Sequence, residues 1–111
     1  MGTFTKGNVV LFPFPYTDLS DKKLRPCLVL SEEMGEDIML CQITSQRLRK
    51  DEYSVDLKPA DTTDGTILID SYVRANMVFT ASKAQIRRKL CKVKDDKYRQ
   101  VANTIMRLIE K

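Results

Sequence analysis

Histidine is absent from this chain of 111 residues, and so is tryptophan. The lack of histidine removes a serine–histidine triad, a histidine-pair nuclease and nearly all histidine-based metal sites. Any proton transfer must therefore use other groups. Cysteine is scarce and odd in number. Cys27, Cys41 and Cys91 stand far apart in apolar runs, without the paired spacing of a zinc site or a disulfide framework. They are expected to be small buried residues in a reducing compartment. No apolar run approaches the roughly 20 residues that span a bilayer. Lys6 precedes a run broken by Pro13 and Pro15, which is unlike a signal peptide. A cytoplasmic protein is expected.

What is present suits a single small domain, 1–111, with 42% hydrophobic residues for a modest core. At this size, burying further surface in a homodimer adds stability. The net charge of +4 fits a nucleic-acid partner, although many soluble proteins share it.

The patterning is mostly that of strands. Residues 8–14 read as a strand that Pro13 and Pro15 push to an edge or out of the sheet. Residues 16–24 read as a mobile loop, rich in turn formers and charge. Residues 25–31 form an apolar strand, 31–36 an acidic turn and 37–44 a further strand. A basic loop over 45–52 carries Arg47, Arg49 and Lys50. Residues 53–57 alternate with period two, as a half-buried strand does. After a loop at 59–65, segments 66–70, 72–73, 77–80 and 87–93 continue the strand pattern. Tyr98, Val101, Ala102, Ile105, Leu108 and Ile109 then recur at helical steps, with Asp95 or Asp96 placed to cap the helix start. Five to seven short strands before one helix describe a small, curved antiparallel barrel or sandwich with a helix packed on it.

Two stretches carry polar groups at strand ends. Arg25 precedes Pro26, which biases it toward extended geometry, and a planar guanidinium there can hold two phosphate oxygens. It can equally begin a strand and pair with a carboxylate. Thr44, Ser45 and Gln46 leave a buried strand with two hydroxyls and an amide, groups that also serve ordinary turns. Their combination beside a basic loop, in a chain without other catalytic residue types, favours phosphodiester chemistry.

Lys83, Arg87, Arg88, Lys89, Lys92 and Lys94 form an acid-free segment. It suits either a phosphate backbone or plain solvent. Phe14 and Tyr16 can stack on unpaired bases, Phe14 being the more core-like of the two. Glu32, Glu33, Glu36 and Asp37 read as turn decoration, and no metal site is expected.

The sequence resembles the MazF/PemK family of bacterial toxin ribonucleases over nearly its whole length. The resemblance rests on Lys6-Gly7-Asn8-Val9-Val10 ahead of Pro13-Phe14-Pro15-Tyr16-Thr17-Asp18. It continues through Leu24-Arg25-Pro26-Cys27-Leu28-Val29-Leu30-Ser31, Gln42-Ile43-Thr44-Ser45-Gln46 and Ile69-Asp70-Ser71-Tyr72-Val73-Arg74. Asn8 stands where the family very often has aspartate, and the 16–24 loop lacks glycine.

The resemblance implies an SH3-like antiparallel barrel with a C-terminal helix, mainly β with α. It also implies a homodimer, a cognate acidic antitoxin, and cutting of single-stranded RNA at short sequences without a cofactor or metal. By the same resemblance the catalytic residues are Arg25 and Thr44, and the 16–24 loop helps close over RNA; Tyr16, Lys22, Lys23, Ser45, Gln46 and Arg47 are the candidate RNA-binding residues. The implied reaction is attack of a ribose 2′-oxygen on the adjoining phosphorus, leaving 2′,3′-cyclic phosphate and 5′-hydroxyl ends. Two alternatives stand beside it: a gyrase-poisoning toxin on the same barrel, and a non-catalytic RNA-binding barrel.

Overall fold

The computed structural model describes residues 3–15, 22–46 and 51–110. Seven strands precede one helix: β1 (Asn8–Pro15), β2 (Lys22–Val29), β3 (Asp37–Thr44), β4 (Ser54–Leu57), β5 (Thr62–Thr63), β6 (Ser71–Ser82), β7 (Arg88–Val93) and α1 (Asp95–Glu110). The strands make one sheet in the order β4-β6-β3-β2-β1-β7-β5, every pairing antiparallel, curled into a half-barrel. The mainly-β architecture with a terminal helix thus agrees with the expectation from patterning.

Side-chain alternation divides the apolar residues between the two faces of the sheet. Val9, Leu28, Cys41, Ile43, Val55, Val73 and Cys91 lie on the face covered by α1, packed with Val101 of that helix. Val10, Phe12, Cys27, Val29, Ile38, Leu40 and Ala81 form a second core, closed by Phe4, Phe14, Phe79 and Ile86. Strands buried on both faces carry continuous apolar runs. That is why Cys27-Leu28-Val29 shows no alternation. Phe14 accordingly sits in packing, its ring 5.5 Å from Phe12 and 5.4 Å from Phe79.

Entry into β1 depends on Gly7. Its φ of +92° suits a residue without a Cβ. Its N–H donates to the Val29 carbonyl (2.9 Å) and its carbonyl accepts from Val93 (2.8 Å), tying β1 to strands on either side. The buried Asn8 completes this turn, its Oδ1 accepting from the Thr5 N–H at 2.9 Å. An aspartate carboxylate can accept the same bond, so the substitution of Asn for Asp leaves the turn intact.

Several boundaries differ from those read in the sequence. Residues 22–24, expected in a loop, already pair with β1 (Pro15↔Lys22, Phe14↔Lys23, Pro13↔Leu24). Residues 66–70 are not a strand. Asp64 and Gly65 adopt φ of 54° and 119°, turning the chain back against the Leu90 carbonyl, and Leu68 and Ile69 are left exposed. Segments 72–73 and 77–80 belong to one long strand, β6. The loop at 59–65 contains a 3₁₀ turn (Pro59–Asp61) and the short β5.

The helix also departs in detail. It starts at Asp95, so both aspartates lie in its first turn, where carboxylates favour the dipole. The Lys94 carbonyl accepts the first helical bond, from Tyr98 N–H at 3.0 Å, which makes Lys94 the residue at the capping position. The Tyr98 hydroxyl donates to the Leu30 carbonyl, anchoring the helix to the sheet. Thr104 is buried, with its hydroxyl donating to the Gln100 carbonyl at 2.9 Å, whereas Ile109, placed by spacing on the apolar face, is 71% exposed. Among the described residues, no helix is long and apolar enough to cross a membrane.

Candidate active site

Pro26 creates a gap in the sheet that exposes the arrangement of interest. The β2–β3 ladder pairs Val29↔Leu40, Leu28↔Cys41 and Cys27↔Gln42, and stops there. The Leu30 N–H donates to the Met39 carbonyl (2.9 Å), so even-numbered residues of β2 are the hydrogen-bonding partners. The next such donor is Pro26, which has no N–H. Both strands nevertheless continue, β2 through its pairing with β1 and β3 through its pairing with β6. Carrying the register two residues further sets Arg25 across from Thr44 as a non-hydrogen-bonded pair. In that class, side chains approach most closely.

The row extends on both sides. Phe12 of β1 pairs with Arg25, Thr44 pairs with Tyr72 of β6, and Tyr72 pairs with Asp56 of β4. Phe12, Arg25, Thr44, Tyr72 and Asp56 therefore share one face of the sheet, the face opposite α1. That face grades from apolar to polar. On β2 it runs Val29, Cys27, Arg25, Lys23; on β3 it runs Ile38, Leu40, Gln42, Thr44. Arg25, Thr44 and Tyr72 are half-buried, while Lys23, Ser45, Gln46 and Asp56 are exposed.

The threonine is held by a turn that leaves its proton available. The Gln46 N–H donates to Thr44 Oγ1 at 3.1 Å, as expected of a strand-ending threonine. The hydroxyl hydrogen is donated to no described residue and can serve an incoming oxygen. Of the residues proposed from the sequence, Arg25, Thr44 and Lys23 fall on this face, while Ser45 and Gln46 follow Thr44 beyond the end of β3. Tyr16 and Arg47 lie outside the described residues, as does the side chain of Lys22.

One guanidinium near this row was given no role by sequence reading. Arg74, two residues along β6 from Tyr72 and on the same face, pairs with Ser54 of β4. Its Nε is buried and has no hydrogen-bond partner among the described residues. Asp51 lies beside it, with Oδ1 accepting from the N–H groups of Tyr53 (2.9 Å) and Ser54 (2.8 Å). Burial pushes the Asp51 carboxyl up, but these hydrogen bonds and the Arg74 charge outweigh it and hold the group below the usual carboxylate range. The signal was present in the sequence: Ser71-Tyr72-Val73-Arg74 alternates with period two, so a buried Val73 forces Tyr72 and Arg74 onto the other face.

Other polar groups are used structurally. Lys83 bonds Glu33 at 2.7 Å, and Glu33 also accepts from the Phe4 N–H at 2.7 Å, which ties down the N-terminal segment. The Lys83 hydrogen bond lowers the Glu33 carboxyl, and the same bond raises the Lys83 ammonium. One member of the basic segment is thus committed, while Arg87, Arg88 and Lys89 remain exposed. Among the described residues, no cluster of three metal-ligating side chains occurs. A groove of about 330 Å³ is lined by Glu52, Thr104, Arg107, Leu108 and Glu110, none of which belongs to the Arg25–Thr44 row.

The family "PemK-like, MazF-like toxin of type II toxin-antitoxin system" matches residues 5–109. A search of curated proteins finds no match. Among solved structures, a MazE–MazF complex from Deinococcus radiodurans is similar with a TM-score of 0.79 at 19% identity, covering 98% of each chain. A mycobacterial endoribonuclease in complex with its cognate antitoxin is similar with a TM-score of 0.77 at 19% identity, covering 96% of this chain and 95% of that one. A further mycobacterial endoribonuclease gives a TM-score of 0.75 at 20% identity, covering 99% and 94%. At such identities these likenesses speak for the fold.

Proposed function

Because this chain belongs to the PemK-like, MazF-like toxins of type II toxin–antitoxin systems, we propose that it is an endoribonuclease cutting single-stranded RNA within one domain, 1–111. The reading is supported by a half-buried arginine on β2 and a turn-held threonine on the neighbouring β3, which the strand register, continued past Cys27↔Gln42, brings to one face. In the proposed reaction the ribose 2′-oxygen bonds to phosphorus, the phosphorus–5′-oxygen bond breaks, and the 2′ proton is lost as the 5′-oxygen gains one. The nucleophile belongs to the substrate, which fits a protein without histidine. Arg25 neutralises charge growing on the phosphoryl oxygens and Thr44 donates its hydroxyl hydrogen to them. A preorganised donor of this kind contributes about 3 kcal/mol, or a hundredfold or more in rate.

Lys23, Ser45 and Gln46 border the pair and, together with Tyr16, Lys22 and Arg47, are proposed to contact RNA. The proposed partners also include an acidic antitoxin that covers this basic end. A second copy of the chain is proposed to cover exposed apolar residues such as Leu68 and Ile69. A cytoplasmic setting follows from an RNA substrate.

Incubation of purified protein with mixed RNA should yield cyclic-phosphate and 5′-hydroxyl ends. Arg25→Ala should abolish them while the fold, followed by circular dichroism, persists. Retained cleavage in that variant removes the assignment. Toxicity without any RNA cleavage points instead to the gyrase-poisoning alternative, and RNA binding without cleavage to the non-catalytic barrel.

A further inference from the structure

The row does not end at Thr44, and its continuation differs in chemistry from its centre. Tyr72 lies directly across from Thr44, and Asp56 directly across from Tyr72. Strand spacing of about 4.8 Å sets the Tyr72 backbone one step from Thr44 and Asp56 two steps away. Val73, next to Tyr72, is fully buried with Val55 and Ile43 under the helix, so the strand cannot rotate Tyr72 off this face. The ring is half-buried, and its hydroxyl bonds to no described residue. A phenol fixed by its backbone, partly exposed and without a polar partner among the described residues, offers a flat apolar ring beside the proposed reacting position. Asp56 is exposed at the end of the row, on the edge strand β4. A carboxylate there repels a phosphate but accepts hydrogen bonds from amino groups.

We propose that Tyr72 and Asp56 form a base subsite for the nucleotide flanking the scissile phosphate, with Tyr72 stacking on the base and Asp56 accepting from an amino group on its edge. The inference rests on the endoribonuclease reading for the position of the phosphate. Charge orients the strand: phosphate lies at the Arg25 end, and the base, one sugar away, lies toward β4. Stacking tolerates any base. Asp56 does not, because a carboxylate pairs with the N4 amino group of cytosine and faces the O4 acceptor of uracil unfavourably. The subsite therefore prefers cytosine to uracil.

The test uses short 2′-O-methyl oligonucleotides, which cannot react, so that binding is read apart from cleavage. Tyr72→Ala should weaken binding of a mixed-sequence oligonucleotide by roughly 10- to 100-fold, while Tyr72→Phe, which keeps the ring, stays near wild type. The wild-type protein should bind oligo-C about tenfold or more tighter than oligo-U, and Asp56→Asn should erase most of that preference. Unchanged binding by a folded Tyr72→Ala variant overturns the proposal. So does a Tyr72→Phe variant as weak as Tyr72→Ala, or equal wild-type affinity for oligo-C and oligo-U. Loss of the endoribonuclease reading itself shows differently: wild-type protein then fails to cut unmodified RNA whatever these affinities are.

Discussion

The hydroxyl of Thr44 has a structural use and a proposed chemical one. Its oxygen closes the turn by accepting from Gln46, which leaves its hydrogen for another acceptor. Thr44→Ser keeps both bonds and should retain cleavage within about tenfold. Thr44→Val removes the donor and leaves the Gln46 N–H to water, and should lower kcat by roughly a hundredfold or more. Single-turnover cleavage of one RNA by the two variants checks this, and equal rates for both would remove the threonine from the reaction. Arg25 depends on its neighbour in a different way. Pro26 offers β3 no N–H, and the arginine is set instead by its pairing with Phe12 of β1.

Among the elements, the 64–70 connection matters most for the sheet. Gly65 has φ of +119°, and a Cβ built there meets the Leu90 carbonyl and Cys91. The turn lets β6 start at Ser71 in register with β4, which sets Tyr72 across from Thr44. Gly65→Ala should therefore cost about 2–3 kcal/mol or more, from backbone strain and the clash with β7. Urea unfolding measures it, and a midpoint within error of wild type would show that the turn relaxes freely. The helix is a simpler case. Val101 and the Tyr98 hydroxyl hold it to the sheet, while Met106 and Ile109 remain on its exposed surface.

At the scale of the whole molecule, two cores share the central strands, with one thiol in the core opposite the helix and two, Cys41 and Cys91, in the core beneath it. Cys27 belongs to the face opposite the helix and Cys41 to the helix-covered face. Burial pushes the Cys27 thiol up to about 12, with the neighbouring Cys41 adding to the rise, and burial alone pushes Cys41 up to about 12. An unfolded cysteine ionises near 8.5. The folded state therefore holds its thiol protons more tightly than the unfolded state. This contribution is complete below about pH 8.5 and is lost as pH rises toward 12. Chemical denaturation at pH 7 and pH 10 should give a lower midpoint at pH 10, and a Cys27→Ala/Cys41→Ala double variant should lose less over the same interval. Equal losses would assign the alkaline weakening to other groups.

The sequence by itself determined the element types, their order and the class of fold. Those depend on local information: period-two and period-3.6 apolar spacing, prolines and turn residues. It also singled out Arg25 and Thr44, because polar groups at the ends of apolar strands are visible in one dimension. It misplaced the start of β2, the 66–70 segment and the exposure of Ile109, since pairing partners and packing faces override local propensity. Only the tertiary structure decided that Arg25 shares a sheet face with Phe12, and that Thr44, Tyr72 and Asp56 follow one another across β3, β6 and β4. Register between strands distant in sequence is set by side chains packing on both faces of the sheet at once, and no local pattern encodes that.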